Sequence, residues 1–410
     1  MTRPSLWLLI LPGMVAGTGA MAAGSLELGG FVQLHAAVRT RDVDCPLQTA
    51  CRVPFNDQRL RVNVEGSGLG GAAGFAGKLD FVHDAVVSET DVDLRELYGD
   101  YSDERYAARA GRQVITWGVG DLLFINDTFP KDWVAFFGGL PLEYLKLGSD
   151  ALKLNLFATV ADLELVLARF RRDNLPNGRR FVFDTLSSLG LPPSLDEPSD
   201  PEISVRLFRY LGSWDGALYF NRTHYRAPTL TLEGEVVEGF FPRLNTYGAS
   251  LSGPLGNGVL GLEVGYYDSR EDPDGTDPAI ENSQMRFLVG YSRQVTEDTT
   301  LGVQGYVERM HDYDAYRHTL PKDFLARERL RTVLTLRFTQ LHLHQTLTVN
   351  VFAFWGLSEE DAYLIPSLHY AFTDALWAEA GANVFLGSSR STFGSLEDND
   401  NVYLTVRYSF

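Results

Sequence analysis

Hydrophobic and polar residues alternate with a period of two along most of this chain. In "RLRTVLTLRFTQL", Leu330, Thr332, Leu334, Leu336 and Phe338 fall on one side; Arg329, Arg331, Val333, Thr335, Arg337 and Thr339 fall on the other. Successive side chains of a strand point to opposite faces, so this parity predicts a strand with one apolar and one largely polar face. The last ten residues, "NVYLTVRYSF", divide in the same way: Val402, Leu404, Val406, Tyr408 and Phe410 against Asn401, Tyr403, Thr405, Arg407 and Ser409. Similar segments begin with "LELGGFVQLHAAVRT" (Leu26 to Thr40) and recur as "EISVRLFRYLG", "GALYFNRTHY", "VLGLEVGYYDS", "SQMRFLVGYSRQV" and "QTLTVNVFAFWGL". Two less regular strands, at about 143–158 and 162–170, bring the expected number to about 18, with 16 as the alternative.

The connections alternate in length. "GGAAG", "SWD", "GNG", "TEDT" and "TDA" are short, whereas 41–58, 114–142, 171–201, 226–241, 270–282, 311–326 and 387–400 are long. Short turns at one end and long loops at the other predict an all-β fold, a single antiparallel up-and-down transmembrane barrel. A soluble sandwich would bury the apolar face in a core instead. The barrel is favoured because no linker divides the chain and because closure removes the exposed edges of so long a row of strands. Aromatics toward strand ends (Tyr210, Tyr225, Tyr267, Tyr291, Trp355, Tyr370, Trp377, Tyr403, Tyr408) suit interfacial girdles.

Residues 1–22 change the picture of where such a barrel sits. One Arg, an apolar stretch from Leu6 to Val15 and the A-x-A of Ala20-Met21-Ala22 form a secretory signal pattern. That leaves residues 23–410 for the barrel, with the first strand starting almost at once and no room for a plug or a separate periplasmic domain. An even strand number returns the C-terminus to the periplasmic side, with short turns periplasmic and long loops extracellular. Export suits a disulfide between Cys45 and Cys51 in "DCPLQTAC". A metal or haem site there lacks both C-x-x-C and C-x-x-C-H, and no cofactor is expected. With 53 acidic against 36 basic residues, a net charge of −17, the chain has no basic face for nucleic acid.

The signal, the regular strands and "VYLTVRYSF" resemble Gram-negative outer-membrane porin-type barrels. The resemblance implies that the last strand, with Tyr408 and Phe410, is the address read by the barrel-assembly machinery. It also implies contact with outer-membrane lipid and lipopolysaccharide. "ARAGRQVITWGVGDLLFINDTFPKDW" is similar to a segment of poorly characterised porin-like proteobacterial proteins.

Porins of this type commonly fold their third long loop into the lumen, and 114–142 is the third connection at the long-loop end here. It carries Trp117, Phe124, Phe129, Trp133, Phe136 and Phe137 together with Asp121, Asp127, Lys131 and Asp132. Acidic loop residues facing lumen arginines such as Arg112, Arg329, Arg331 and Arg337 would form a constriction with a transverse field. A loop packed as a plug by its aromatics is the alternative. Asp272, Asp274 and Asp277 around Gly275 hint at calcium, but the downstream Glu of an EF-hand is missing and a solvated acidic loop is favoured. His342 and His344 read as turn residues rather than metal ligands. No G-x-S-x-G elbow is present, so no enzyme is expected. The leading expectation is a channel for passive diffusion of small solutes, as a monomer or a homo-oligomer. A scaffold barrel that sheathes or docks a protein partner for export or electron transfer, and a channel for hydrophobic compounds, remain open.

Overall fold

The structure, a computed structural model, describes residues 25–43, 51–176, 180–182, 194–233, 236–322, 324 and 326–410. Residues 1–22 and Cys45 lie outside these, so the signal peptide and the disulfide to Cys51 stay expectations. The first strands are β1 Ser25–Arg39, β2 Phe55–Gly68, β3 Ala73–Asp84, β4 Glu89–Ser102, β5 Tyr106–Gln113, β6 Ser149–Leu156, β7 Asp162–Ala168, β8 Ser194–Asp196, β9 Glu202–Leu211 and β10 Trp214–His224. They are followed by β11 Thr229–Glu233, β12 Val236–Phe240, β13 Arg243–Leu255, β14 Gly258–Ser269, β15 Gln284–Thr296 and β16 Thr299–Met310. The last are β17 Leu330–His342, β18 Leu347–Gly356, β19 Asp361–Ala371, β20 Leu376–Leu386 and β21 Asn401–Ser409.

Eighteen of them, all except β8, β11 and β12, form one antiparallel sheet in which each strand pairs with its neighbours along the chain. The sheet closes where β21 pairs with β1, from Phe31 opposite Ser409 to Arg39 opposite Asn401. The terminal residue completes the seam: Gly30 N donates to Phe410 O at 2.9 Å and Phe410 N to Gly30 O at 3.0 Å. A chain ending in mid-strand therefore leaves no open edge at this seam.

The face alternation read from the sequence is the alternation of the wall. On β17, Leu330, Leu334 and Leu336 are 52%, 40% and 42% exposed, while Val333 and Thr335 are buried inside. On β21, Val402, Leu404 and Tyr408 face out, and Asn401, Tyr403 and Thr405 are buried within. An apolar side chain kept in water forgoes about 1.5–3 kcal/mol, so a band of exposed leucines and valines around the whole wall suits lipid rather than solvent. Among the described residues no helix is long and apolar enough to cross a bilayer.

Several expectations are corrected in detail. Tyr225, Tyr267 and Tyr403 are buried inside the barrel and belong to no outer girdle, whereas Tyr210, Trp355, Tyr370 and Tyr408 are exposed. Strand parity, not position along the strand, decides which way a ring points. At the long-loop end, β3–β4 and β18–β19 are joined by only 85–88 and 357–360. The connections 169–201 and 225–242 carry a small sheet of their own, β11 antiparallel and β8 parallel to β12. The strand expected to start near residue 143 begins at Ser149, because residues 142–144 turn into a 3-10 helix after Pro141. The third loop thus runs from 114 to 148.

Candidate functional site

Loop 114–148 folds into the barrel, and the main apolar core of the molecule lies between this loop and the inner wall. Its path is fixed by a series of anchors. Beyond β5, Trp117 Nε1 donates to Glu164 Oε1 of β7 at 2.6 Å, with its ring edge-on to Phe129 and tilted on Tyr219 of β10. The chain then wraps around one carboxylate. Glu263 of β14, 4% exposed, accepts from Val119 N at 3.0 Å, Gly120 N at 3.1 Å, Asn126 N at 2.8 Å and Asn126 Nδ2 at 2.9 Å. The wrap needs glycine. Gly118 has φ +81°, and a Cβ there would stand 2.5 Å from Glu263 Oε1. Tyr267 Oη donates to Ile125 O at 2.5 Å from the same strand.

Asp121 reaches β16 and β17. Its N donates to Gln304 Oε1 at 2.7 Å, Gln304 Nε2 returns a bond to Asp121 O at 2.8 Å, and both carboxylate oxygens accept from Arg337, one at 2.7 Å. Asp127 and Lys131, both buried, form an ion pair at 3.3 Å, joined by Lys146; Lys131 also donates to the carbonyls of Asp127 and Phe129 at 2.8 Å. Burial pushes the Lys131 ammonium below its ordinary pKa, against the opposing pull of Asp127. Asp173, from the next connection, accepts from Lys131 N and Trp133 Nε1, each at 2.8 Å.

Asp132 caps helix α1, Trp133–Phe137, by accepting from Ala135 N at 2.8 Å, and it holds Asn174 Nδ2 at 3.0 Å. The helix lays Phe136 edge-on to Phe354 of β18 and Tyr363 of β19, and Phe137 against Tyr363 and Phe385 of β20. Loss of an N-cap costs about 1 kcal/mol, so Asp132→Ala is expected to lower stability by about that amount, read as a small shift in denaturant midpoint.

The far end of the loop is tied to the opposite wall. His35 Nε2 of β1 donates to Gly138 O at 3.2 Å, since a carbonyl can only accept. Glu143 pairs with Arg61 of β2 at 2.7 Å and with Arg407 of β21. Tyr144 lies under the guanidinium groups of Arg59, Arg61 and Arg95, 4.4, 5.1 and 4.8 Å from its ring centre. Burial alone would raise the Glu143 pKa, but Arg407 and Arg61 outweigh it and hold the carboxyl below the ordinary glutamate value. The folded value lies below the unfolded one. The tether therefore contributes fully above the ordinary glutamate pKa of about 4.3 and is lost as pH falls through the lower folded value. The part of the loop's current noise that depends on this tether is expected to stay constant from neutral pH down to about pH 5 and to grow only below about pH 4. In Glu143→Gln that acid step disappears.

Of the eight residues singled out for a constriction, only Asp121 and Arg337 meet as a loop acid facing a wall arginine. Arg331 faces the lumen but pairs with Glu359 at 3.4 Å, and Arg329 is exposed at the mouth. Arg112 stands opposite Leu97 and Asp150 on the outward face and binds Asp150 at 2.7 and 2.8 Å. Asp127 and Lys131 satisfy each other, and Asp132 caps a helix. The anchors Glu263, Glu143 and Gln304 carry no sequence signal beyond inward parity or position in the loop. Elsewhere, Asp272 is used by its own turn, accepting from Thr276 N and Asp277 N. No cluster of three or more metal-ligating side chains occurs among the described residues.

No family model matches the sequence, and no curated protein matches it. Solved structures do. OccK8 (OprE) and OccK5 (OpdH) of Pseudomonas aeruginosa align over 94% of this chain and 98% of either channel, at TM-scores of 0.56 and 0.55 and 11% identity. The chain has the fold of an outer-membrane porin-type barrel. OccK11 (OpdR) of the same organism aligns over 94% of this chain and 96% of its own, at a TM-score of 0.54 and 11% identity. At such identity the likeness is one of fold. The porin-type wall and the inward loop are what the chain's own residues build.

Proposed function

We propose that this chain is an outer-membrane channel for passive diffusion of small solutes, with loop 114–148 as its constriction. The observation that carries the reading is the loop's course. It leaves the wall at β5, is held by β7, β14, β16 and β17, and is held again by β1, β2 and β21 across the lumen. An eighteen-stranded barrel is wide enough for an aqueous channel, so a loop fastened across it sets the width and the charge of the passage. Asp121 and Arg337 are the pair placed to act on passing ions.

In the same reading residues 1–22 direct export, the short-turn end and both termini face the periplasm, and Cys45 and Cys51 close an extracellular disulfide. Tyr408 and Phe410 serve as the assembly address. The inward loop takes lumen space that a sheathed protein partner would need, which favours a channel over a scaffold. Its phenylalanines and Trp133 favour a passage that also tolerates apolar solutes. Liposomes carrying the refolded protein are expected to swell in arabinose and progressively less in larger sugars. Swelling with none of them would contradict the reading.

A further inference from the structure

Between the inward loop and the long-loop end lies a cavity of about 990 Å³. That lies at the upper end of the usual range for small-molecule sites, about 300–1,000 Å³. Its lining combines aromatic rings with ion pairs. The rings are those of Phe124, Trp133, Phe136, Phe137, Phe354 and Phe393. The ion pairs are three arginine–glutamate pairs: Arg286–Glu308 at 3.3 Å, Arg327–Glu281 at 3.2 Å and Arg331–Glu359 at 3.4 Å.

The charge balance is what separates this cavity from the rest of the chain. Among the described residues, six acidic and six basic side chains line it, a formal sum of zero in a protein whose net charge is −17. A lining of zero net charge draws in neither sign of ion over long range. At contact it offers both signs, a few ångströms apart. A simple anion reaching one of these arginines must compete with the glutamate already there, and a simple cation meets the converse. A solute carrying both charges can set its carboxylate on an arginine and its ammonium on the adjoining glutamate, leaving no group uncompensated. The rings offer a flat apolar body both area and edge-to-face contacts.

We propose that this vestibule binds solutes that join a flat apolar body to a polar head without net charge, zwitterions above all, in preference to anions or cations of the same body. The inference rests on the channel reading and deepens it by naming the solute class.

Calorimetric titration of the refolded protein with L-phenylalanine, phenylacetate, 2-phenylethylamine and glycine tests it. These probes hold the ring constant while the head changes, and then remove the ring. L-Phenylalanine is expected to bind about fivefold tighter than either singly charged analogue, which is the effect of about 1 kcal/mol of charge competition. Glycine is expected to give no measurable heat. Glu359→Gln keeps an acceptor for Thr392 N, which Glu359 now holds at 3.0 Å, but leaves Arg331 without its counter-charge. In that variant phenylacetate should gain about fivefold on L-phenylalanine. A singly charged analogue binding tightest to the unaltered protein, glycine binding as well as L-phenylalanine, or an unmoved ranking in Glu359→Gln would each overturn the proposal. Binding is read without current. Retained binding with a silent bilayer would count against the channel alone, and current with no binding of any ring-bearing probe would count against this proposal alone.

Discussion

Replacing Glu263 by leucine is expected to raise the open conductance severalfold and to add rapid flicker. In the folded protein this one carboxylate accepts four N–H bonds from the loop, three of them from the backbone. Each donor left buried without a partner costs about 1–3 kcal/mol, so the wrapped turn 118–126 loses several kcal/mol of local support. The barrel does not depend on it, because β14 keeps its full ladders to β13 and β15. The loop therefore yields first. Glu263→Gln, which retains an acceptor but turns an amide donor toward the same N–H groups, should fall between the two. Heat-modifiable migration separates a loosened loop from an unfolded barrel. A Leu variant with unaltered conductance and noise would mean that the turn is held by something other than this carboxylate.

The second large effect concerns ion selectivity. Asp121 and Arg337 keep side-chain exposures of 43% and 32%, so their pairing contributes little to stability and much to the local field. Arg337→Met leaves an uncompensated carboxylate and should shift selectivity toward cations; Asp121→Asn should shift it toward anions. An ion passing a unit charge at about 4 Å in water feels about 1 kcal/mol, or roughly fivefold in the permeability ratio. The double variant should return close to the unaltered protein. Reversal potentials across a KCl gradient measure all four. Single variants that leave the reversal potential unmoved would place the ion path away from this pair.

The strands were legible because a barrel wall obeys a local rule. At Leu334 and Thr335, or Leu404 and Thr405, the identity of a residue and its parity settle which face it takes. The same rule, applied strictly, also places Tyr403 inside, although its position near the chain end suggested a girdle. The site was legible only in part. The length and aromatic content of 114–142 marked it as a loop with somewhere to pack, and parity placed Arg331 and Arg337 in the lumen. What the loop meets there depends on contacts between residues far apart in sequence, such as Glu263 with Asn126 or Glu143 with Arg407. Nothing local in "GLEVGYY" tells a carboxylate facing water from one that accepts four N–H bonds. Arg112 was misplaced because the alternation of its own strand, β5, groups it with exposed Tyr106 and Ala110 and against buried Gln113, which turns it outward.

Single-channel conductance of the refolded protein in a planar bilayer, with loop 114–148 intact and with its inward part replaced by a short glycine–serine turn, tests the constriction most directly. A constriction formed by this loop gives a steady open conductance that rises when the loop is shortened. Silence in both forms, from a protein that still migrates as a folded barrel, would contradict it.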